Sequence, residues 1–276
     1  MNILRPHQDK LEIYPLFHFI PGEPDAPSAR RSDGKTHIFN TTPNSRNANR
    51  IMDAALETEN FYRIGIATHA YVDTWAHQNF VGDMAAFNAF PGFWARLTPN
   101  CGHADAGHKP DEIGLTWQDV RLVDSPIDNN QRFLDAAAHL FDKLWGLANN
   151  GSGKRASAVA QMNRERQALI GDLSVPFGNK FPKERHAHYQ TLASTAAYGA
   201  APIPDYNQKA WFGDAVKTTT PNRASRNKAQ KVTTYTFHPG YQTSDWYTFQ
   251  EAVNGHTECA KAILCETPEI AREYGV

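Results

Sequence analysis

Hydrophobic residues recur at helical spacing in several stretches of the chain, and segments rich in Gly, Pro, Asn and Asp separate these stretches. The alternation typical of strands is nearly absent, and residues 231–237 give its best example. The sequence therefore predicts a mainly α fold, a compact helical bundle with long loops. The predicted helices cover residues 45–58, 59–80, 129–148, 156–170, 183–197 and 244–265, followed by a short helix that Thr267 caps and Pro268 begins.

The helix over residues 59–80 is predicted to be buried. At about 100° per residue, its apolar side chains, among them Phe61, Val72 and Trp75, point to all sides of the helix. Gly65 is the only helix-breaking residue within it. A helix that is apolar all round belongs in the interior of a domain, so polar side chains on it need a specific partner.

Three other stretches are predicted to lack long helices. Residues 1–50 are rich in Pro, Gly, Asn and Arg, and we expect an extended N-terminal arm there. Residues 81–128 form a long structured loop, a kind of segment that is often functional. Residues 199–240 are loop-like and carry a basic run, which is ordinarily a solvated face. The 81–128 loop contains the aromatic residues Phe87, Phe90, Phe93, Trp94 and Trp117, and the basic run comprises Lys217, Arg223, Arg226, Lys228 and Lys231.

Composition narrows the class of protein without indicating a function. The 276 residues include 28 Lys and Arg against 29 Asp and Glu, a formal net charge of −1. The overall charge of the chain would therefore not attract nucleic acid or an anionic membrane. With 41% hydrophobic residues it can fill a sizeable core, which excludes a disordered protein and favours a single domain over residues 1–276. No segment reaches the ~20 apolar residues that a membrane span needs.

The first residues and the cysteines bear on location and on metal chemistry. Residues 1–10 carry Arg5, His7, Asp9 and Lys10 with no apolar run behind them, so no secretory signal is visible. We expect a cytoplasmic protein for the chain as given, and export becomes possible if the native N-terminus lies upstream. Three cysteines without CxxC spacing support neither a disulfide framework nor a cysteine zinc site. A metal would have to be held by His and carboxylate groups.

His69, Asp73 and His77 are spaced four residues apart on the predicted buried helix. They lie along one stripe of its surface and can share a ligand. An ionised Asp and two imidazoles in apolar surroundings are unfavourable unless a partner compensates them. A divalent cation is such a partner, and these donor types suit zinc. The competing interpretation is that these histidines are surface residues or hydrogen-bonded core residues.

The loop supplies a second group of candidates, because His103, Asp105 and His108 lie within six residues of one another. This proximity makes His103 a candidate for a further metal ligand. Asp105 and His108 are candidates for a ligand, for a group that orients a ligand, or for a proton carrier. Together with the helix stripe, the loop could complete a metal site.

The remaining histidines fit a metal site less well. His139 falls opposite the apolar stripe of its helix, so we expect it to face water and use it as a control residue. His18 is flanked by large apolar residues, and either burial against the site or a backbone hydrogen bond would explain it. His256, together with Glu251, could line a pocket or cap the core.

The segment Ile64–Phe80 resembles the helix of an uncharacterised bacterial family that reads Leu-Gly-x-x-x-His-x-x-x-Asp-x-x-x-His. That family is related in turn to the zinc-dependent phospholipases C and the fungal single-strand nucleases. Further blocks along most of the chain are similar to that family. They are Phe17-His18-Phe19, Gly102-His103, Pro110-Asp111, Trp117, Asn130-x-x-Phe133 and Trp246-x-x-Phe249-Gln250-Glu251-Ala252.

The resemblance implies a helical bundle with a cluster of zinc ions that activates water against a phosphodiester. It implies that His69 and Asp73 are primary ligands, that Asp73 bridges two metals, and that His77 and His103 serve a second one. The group's later His-x3-Glu pair is not matched, because Gly107 stands four residues after His103. The amino-terminal ligands of the group have no convincing match either, so the start of this chain looks shortened relative to it.

Two hypotheses of function follow. In the first, the protein is a metal-dependent hydrolase, with zinc as the expected metal, that acts on a phosphoester such as a phospholipid or a nucleic acid. In the second, it is a non-catalytic helical protein with a structural metal or a buried His–Asp network, and it acts through protein partners. The first hypothesis assigns metal binding to His69, Asp73, His77 and His103, and catalysis to Asp73, Asp105 and His108.

Overall fold

The computed structural model describes residues 11–91, 100–149, 156–207, 209–220 and 232–276, and these are mainly helical, as the sequence predicted. Phe93, Trp94 and the basic residues from Arg223 to Lys231 lie outside these ranges. The helices of the described ranges are α1 (Tyr14–Phe17), α2 (Arg46–Leu56), α3 (Phe61–Ala76), α4 (Asn129–Ala148), α5 (Ala156–Phe177), α6 (Pro182–Ala193), α7 (Ala210–Ala215), α8 (Asp245–Leu264) and α9 (Pro268–Tyr274). Two antiparallel hairpins accompany them, β1 (Thr116–Gln118) with β2 (Pro126–Asp128) and β3 (Val216–Thr219) with β4 (Thr234–Phe237).

Helix α3 lies at the centre of the bundle, where it packs against α2, α4 and α8. Asn60 begins it, because its side-chain oxygen accepts hydrogen bonds from two backbone amides of the first turn. Tyr71 and Trp75 are almost completely buried, whereas Phe61 is 82% exposed and His69 is also exposed. The helix is therefore buried on one side and open on another, and the prediction that it is buried all round was wrong.

Helix α3 ends four residues earlier than the sequence predicted. Arg132 of α4 donates hydrogen bonds to the backbone carbonyls of Trp75 and Ala76, which satisfies two carbonyls at the C-terminus of α3. His77 is the capping residue, and Asn79 has a φ of 69°, in the left-handed region that commonly follows a helix. The chain therefore turns away from the helix axis immediately after His77.

The segment over residues 11–45 packs into the domain and does not extend from it as an arm. Leu16, Ile20 and Phe39 belong to the main hydrophobic core, and α1 packs against α3 and α8. The Nε2 atom of His256, on α8, donates a hydrogen bond to the backbone carbonyl of Leu16 at 2.8 Å. These contacts and this hydrogen bond hold the amino-terminal segment against α3 and α8.

Two buried arginines anchor the long loop that precedes α4. The guanidinium of Arg31 lies 4.4 Å from the ring centroid of Phe87 and donates to the carbonyl of that residue at 2.9 Å. Arg121 forms a buried ion pair with Asp119 at 2.6 Å and lies 4.5 Å from the ring centroid of Phe90. These aromatic side chains are therefore packed against the interior of the loop.

The remaining elements lie around this centre. Helix α5 packs against α4 and continues to Phe177, seven residues beyond the predicted end, while α6 ends at Ala193. Strand β4 falls within the predicted strand of residues 231–237. Among the described residues, no helix combines the length and the apolar character that crossing a membrane requires. The three cysteines, Cys101, Cys259 and Cys265, are free thiols.

Candidate metal centre

Three side chains from two parts of the chain meet on the open side of α3. His69 and Asp73 lie one helical turn apart, and His18 immediately follows α1. The Nδ1 atom of His18 is 3.0 Å from Oδ2 of Asp73 and 3.2 Å from Nε2 of His69, which is itself 3.4 Å from the same carboxylate oxygen. We call His18, His69 and Asp73 the first group, because each turns one possible ligand atom towards the other two.

A second group lies beyond the C-terminus of α3 and consists of His77, His103 and Asp111. The Nε2 atom of His77 is 3.7 Å from Oδ1 of Asp111, and the Nε2 atom of His103 is 3.4 Å from Oδ2. The two groups adjoin, because Nδ1 of His77 is 3.7 Å from Oδ2 of Asp73. Six possible ligand residues therefore form one continuous centre.

Backbone carbonyls orient both imidazoles of the second group. The Nδ1 atom of His77 donates to the carbonyl of His18 at 2.6 Å, and the Nδ1 atom of His103 donates to the carbonyl of Gly107 at 2.9 Å. In a neutral imidazole the other nitrogen then carries a lone pair, and in both residues that nitrogen is the Nε2 atom facing Asp111. Such a carbonyl partner on the second nitrogen is typical of histidines that bind metal.

The protonation states of the second group depend on one another. Burial acts to lower the pKa of His77, but the hydrogen bond with Asp111 and the charge of Asp73 raise this pKa above its usual value. Burial lowers the pKa of His103. Burial acts to raise the pKa of Asp111, but His77 and His103 bring this pKa below its usual range. Within the second group, protonation is therefore favoured at His77 and opposed at His103, beside an Asp111 that favours its ionised form.

The separations of the facing atoms fit a small divalent ion. Ligand atoms about 2.0–2.1 Å from a tetrahedral ion lie about 3.3–3.4 Å from one another. The contacts measure 3.0 to 3.4 Å in the first group and 3.4 to 3.7 Å in the second. The lone pair on Nε2 of a neutral His103 would repel the carboxylate of Asp111 unless a cation lay between them. Both groups are thus positioned so that they could hold a metal ion.

Each group opens onto a pocket. A pocket of about 310 Å³ with a mainly apolar lining adjoins the first group, a pocket of about 470 Å³ adjoins the second, and His18 lines both. The side chains of His69 and Asp111 are 55% and 42% exposed. Within the described ranges each group has three possible ligand residues, one fewer than the four protein ligands of a closed structural zinc site.

The four metal ligands predicted from the sequence all lie in this centre, but they do not surround a single point. His69 and Asp73 belong to the first group, whereas His77 and His103 belong to the second. The reason is the early end of α3, because the capping position of His77 turns its Nε2 atom towards the loop. That His77 and His103 serve a second ion stays a prediction of the resemblance.

Comparison with known sequences places the chain in a family. The family described as "Family of unknown function (DUF6765)" matches residues 1–264. The chain belongs to this family. No curated protein and no solved structure matches this DUF6765 member.

The predicted catalytic residues Asp105 and His108 belong to neither group. Asp105 accepts a hydrogen bond from the backbone amide of Phe90 at 3.2 Å, which ties the loop together. His108 is exposed and lines the pocket of the second group. Of these two residues, His108 has the more direct access to a molecule in that pocket.

Sequence reasoning missed Asp111 and left His18 undecided. Both lie outside the long helices, His18 just after the four residues of α1 and Asp111 in a 3-10 turn, so no helical period indicates a face that they share with α3. The available signals were the Phe17-His18-Phe19 and Pro110-Asp111 blocks of the resemblance.

Two other histidines lie apart from the groups. His256 is completely buried in the core, and His139 donates from Nδ1 to the carbonyl of Asp135 at 2.9 Å. His139 is only partly exposed and lies against Trp75, so it does not fully face water.

Phe19 packs against the two histidines of the second group. Its ring stacks on the imidazole of His77 with a centroid distance of 4.2 Å and an interplanar angle of 13°. Gly102 has a φ of 54°, and a Cβ atom at this position would lie 2.6 Å from Cζ of Phe19. Only glycine allows this approach, so Gly102 places the neighbouring His103 beside the ring and the second group.

Proposed function

We propose that this protein is a zinc-dependent hydrolase that cleaves a phosphoester. One observation carries the proposal, namely that two open groups of three possible ligands adjoin at Asp73 and His77, whose Oδ2 and Nδ1 atoms are 3.7 Å apart. Paired metal ions recur in enzymes that act on phosphate esters, where two ions about 3.5–4 Å apart stabilise the attacking and the leaving oxygen. The adjoining groups support such a pair.

The donor types favour zinc over other divalent ions. Four of the six residues in the two groups are histidines and two are aspartates. Imidazole is a good ligand for zinc, whereas calcium and magnesium prefer sites made of oxygen atoms. Cys101 lines the pocket of the second group but belongs to neither group. The site therefore resembles a nitrogen and oxygen zinc site and not a thiolate site.

The proposed chemistry assigns a task to each part of the centre. Bound metal would lower the pKa of water towards ~7 and neutralise the charge that develops on a phosphoryl group. Asp73 contributes its carboxylate at the junction of the two groups. The carbonyls of His18 and Gly107 keep the imidazoles of the second group turned inward. His108, exposed at the second pocket, can carry a proton between substrate and solvent.

The pocket beside the first group supports a substrate with an apolar substituent next to its phosphoryl group. It is lined mainly by apolar side chains and contains no Lys or Arg among its described residues. A nucleic acid would need cationic side chains along its phosphates, so this pocket favours a phospholipid-like ester. The apolar side chains are Ile13, Phe17, Ile66, Phe249 and Val253.

The alternative is a non-catalytic protein in which a metal or a buried hydrogen-bond network holds the fold. The burial of His77 and its bond to the His18 carbonyl are compatible with that role. However, closed structural zinc sites have four protein ligands, and the exposed side chains of His69 and Asp111 favour an open site. We therefore favour the hydrolase.

The first test is the metal content of the purified protein, measured by inductively coupled plasma mass spectrometry after purification without chelators. We expect at least one zinc ion per chain in the wild type and a loss of zinc in His69→Ala and Asp73→Ala. His139→Ala is the matched control, because it removes a histidine that lies outside both groups. A wild-type protein without metal would contradict the proposal.

The second test is hydrolysis of bis-p-nitrophenyl phosphate and of a short-chain phosphatidylcholine. Removing a residue that only orients a metal ligand costs about 10–100-fold, so Asp73→Asn should lower activity by about 100-fold or more. Its circular dichroism spectrum should stay that of the wild type, and His139→Ala should keep full activity. If Asp73→Asn retained wild-type activity, the assigned role of this carboxylate would be wrong.

A further inference from the structure

A polar pocket of about 330 Å³ lies between the beginning of α3 and the first half of α8. None of the residues that line it belongs to the two groups of the metal centre. Its floor includes Arg63 and Gly255, and exposed residues such as Asn60 and Gln242 form its rim. This pocket is therefore separate from the metal centre, and the proposed hydrolysis does not involve it.

Arg63 is buried in this pocket without a carboxylate partner. The residue is only 6% exposed, and its Nε atom is buried with no hydrogen-bond partner. Within the described part of the chain, no Asp or Glu comes within the 4.0 Å of an ion pair with its guanidinium. The guanidinium lies near the thiol of Cys259, which is a weak acceptor. A buried cation of this kind is unfavourable unless an anion compensates it.

Arg63 keeps its charge in this position. Burial lowers the pKa of Arg63, while the neighbouring Cys259 and Glu258 act in the opposite direction. A guanidinium remains protonated in proteins even when its pKa is lowered, so Arg63 presents a cation at neutral pH. The fold consequently holds one positive charge at the floor of a pocket that solvent and small molecules can enter.

Helix α8 leaves room for the guanidinium. Gly255 lies in the interior of α8, where glycine weakens a helix relative to alanine. A Cβ atom at Gly255 would lie 3.0 Å from Nη1 of Arg63, which is tighter than ordinary van der Waals contact. Gly255 therefore leaves the guanidinium space that a larger residue would reduce.

Neutral donors line the same pocket as Arg63. The side-chain oxygen of Asn60 accepts the amides of the first turn of α3, which leaves its amide nitrogen as a donor. Gln242 and Tyr247 add an amide and a hydroxyl group. The positive end of the α3 dipole lies at the same place and favours an anion. Glu251 is the one carboxylate among the lining residues, and it is exposed on the rim.

We propose that this pocket binds a small oxyanion, of the phosphate or carboxylate type, through the guanidinium of Arg63. The planar guanidinium presents paired donors that match two oxygens of such a group. The volume of the pocket lies at the lower end of the range for ligand sites, which fits a small ligand. This site does not depend on the proposed hydrolase function.

Isothermal titration of the full chain with inorganic phosphate, sulfate or acetate, at constant ionic strength in chloride, tests the proposal. We expect saturable phosphate binding in the wild type, a loss of affinity of at least tenfold in Arg63→Gln, and weakened binding in Arg63→Lys. Arg50→Gln is the matched control, because Arg50 is exposed and already paired with Glu266. No saturable binding of any of the three anions would overturn the proposal.

Two further variants change the pocket without removing its cation. Gly255→Ala should lower phosphate affinity because its methyl group displaces the guanidinium, and it serves as the decisive variant if Arg63→Gln does not fold. Glu251→Gln should raise affinity severalfold, because it removes a negative charge from the rim. Unchanged affinity in both variants would overturn the proposal. Binding of phosphate and sulfate without acetate identifies a phosphate-type ligand, and binding of all three extends the site to carboxylates.

Phosphate could also bind at a metal ion, so the titration is repeated with Asp73→Asn. Phosphate binding that persists in Asp73→Asn and is lost in Arg63→Gln supports the Arg63 site. The reverse pattern, binding lost in Asp73→Asn and kept in Arg63→Gln, overturns it. If the purified protein contained no zinc, the hydrolase proposal would fail, but phosphate binding by Asp73→Asn and Arg63→Gln would still test the Arg63 site. Failure of one proposal can therefore be distinguished from failure of the other.

Discussion

The Nδ1 atom of His77 donates a hydrogen bond of 2.6 Å to the backbone carbonyl of His18, so a residue of the second group is oriented by a residue of the first. This bond joins the end of α3 to the chain that follows α1. The same imidazole also lies 3.7 Å from Oδ2 of Asp73. His77 is therefore the point at which the two groups depend on each other.

We expect substitutions in the centre to remove metal in a pattern that reveals this dependence. His69→Ala and His103→Ala should each lower the metal content of one group and leave the other largely loaded. His77→Ala should lower the metal content further than either, because it removes a ligand and also releases the carbonyl of His18. Metal per chain is measured by mass spectrometry, with His139→Ala as the control. An equal loss in all three variants would show that the groups are not coupled through His77.

Gly102→Ala should displace the loop that carries His103. The backbone at Gly102 is left-handed, and the added Cβ atom would lie 2.6 Å from Phe19. Gly34→Ala is the matched control, because Gly34 has a φ of 71° and open space around it. We expect a loss in the free energy of unfolding of about 1 kcal/mol in the control and about 3 kcal/mol in Gly102→Ala. Urea denaturation measures both values.

The metal content of these two glycine variants separates a local effect from a general one. Gly102→Ala should lose metal from the second group, whereas Gly34→Ala should keep the wild-type content. If both variants lost the same stability and kept their metal, the close approach of Gly102 to Phe19 would have no functional role.

Helical periodicity was sufficient to predict the part of the centre that lies on α3. Residues four apart on a helix share a face by local geometry alone, so the relation between His69 and Asp73 could be seen in the sequence. The end of the helix could not be predicted as well, because Arg132 satisfies its last carbonyls from another helix. The position of His77 therefore depends on a tertiary contact.

The residues that complete each group depend on the path of irregular chain. His18 meets Asp73 across 55 residues, and Asp111 meets His77 from the long loop. Neither segment has a period that relates its side chains to those of α3. The sequence showed that Leu16 and Ile20 belong to an apolar patch, but it did not predict their burial in the main core. That burial follows from the packing of this segment against α3 and α8.

Arg132→Lys should destabilise the end of α3 and weaken the second group. The guanidinium donates to two carbonyls of α3 and to Oδ1 of Asn129, and a lysine cannot make these bonds in the same fork. Burial lowers the pKa of Arg132 to about 10, which shows how strongly the site desolvates the charge. We expect a loss of about 2–3 kcal/mol in the free energy of unfolding.

Chemical denaturation of Arg132→Lys is compared with Arg50→Lys, because Arg50 forms an exposed ion pair with Glu266. The control should change the free energy of unfolding by no more than about 0.5 kcal/mol. Zinc affinity, measured by competition with a chelating dye, should fall in Arg132→Lys because His77 caps the helix that this arginine holds. Equal stability of the two variants would show that the carbonyl contacts contribute little.

Removal of metal should lower the melting temperature. The two groups connect α3 with the chain after α1 and with the loop before α4, and metal bound only by the folded state stabilises it. At a free metal concentration of about 1,000 times Kd the stabilisation is about 4 kcal/mol. Differential scanning calorimetry with and without EDTA measures the shift. An Asp73→Asn protein should show a smaller shift than the wild type, and an identical wild-type melt in EDTA would exclude metal as a source of stability.

The buried His256 should make the protein less stable in acid. Burial lowers its pKa to about 4 and the nearby charge of Arg63 acts in the same direction, whereas the hydrogen bond from Nε2 to the carbonyl of Leu16 acts to raise this pKa. In the unfolded chain its pKa is about 6.5, so below that pH the unfolded state binds a proton that the folded state excludes. Stability should therefore fall as the pH falls from about 6.5 to about 4, by roughly 3 kcal/mol in total.

Urea denaturation in EDTA, at several pH values, measures this dependence of the free energy of unfolding without a contribution from metal release. His256→Gln cannot titrate and should show a shallower dependence than the wild type or His139→Ala, and parallel profiles of all three proteins would show that another group causes the loss.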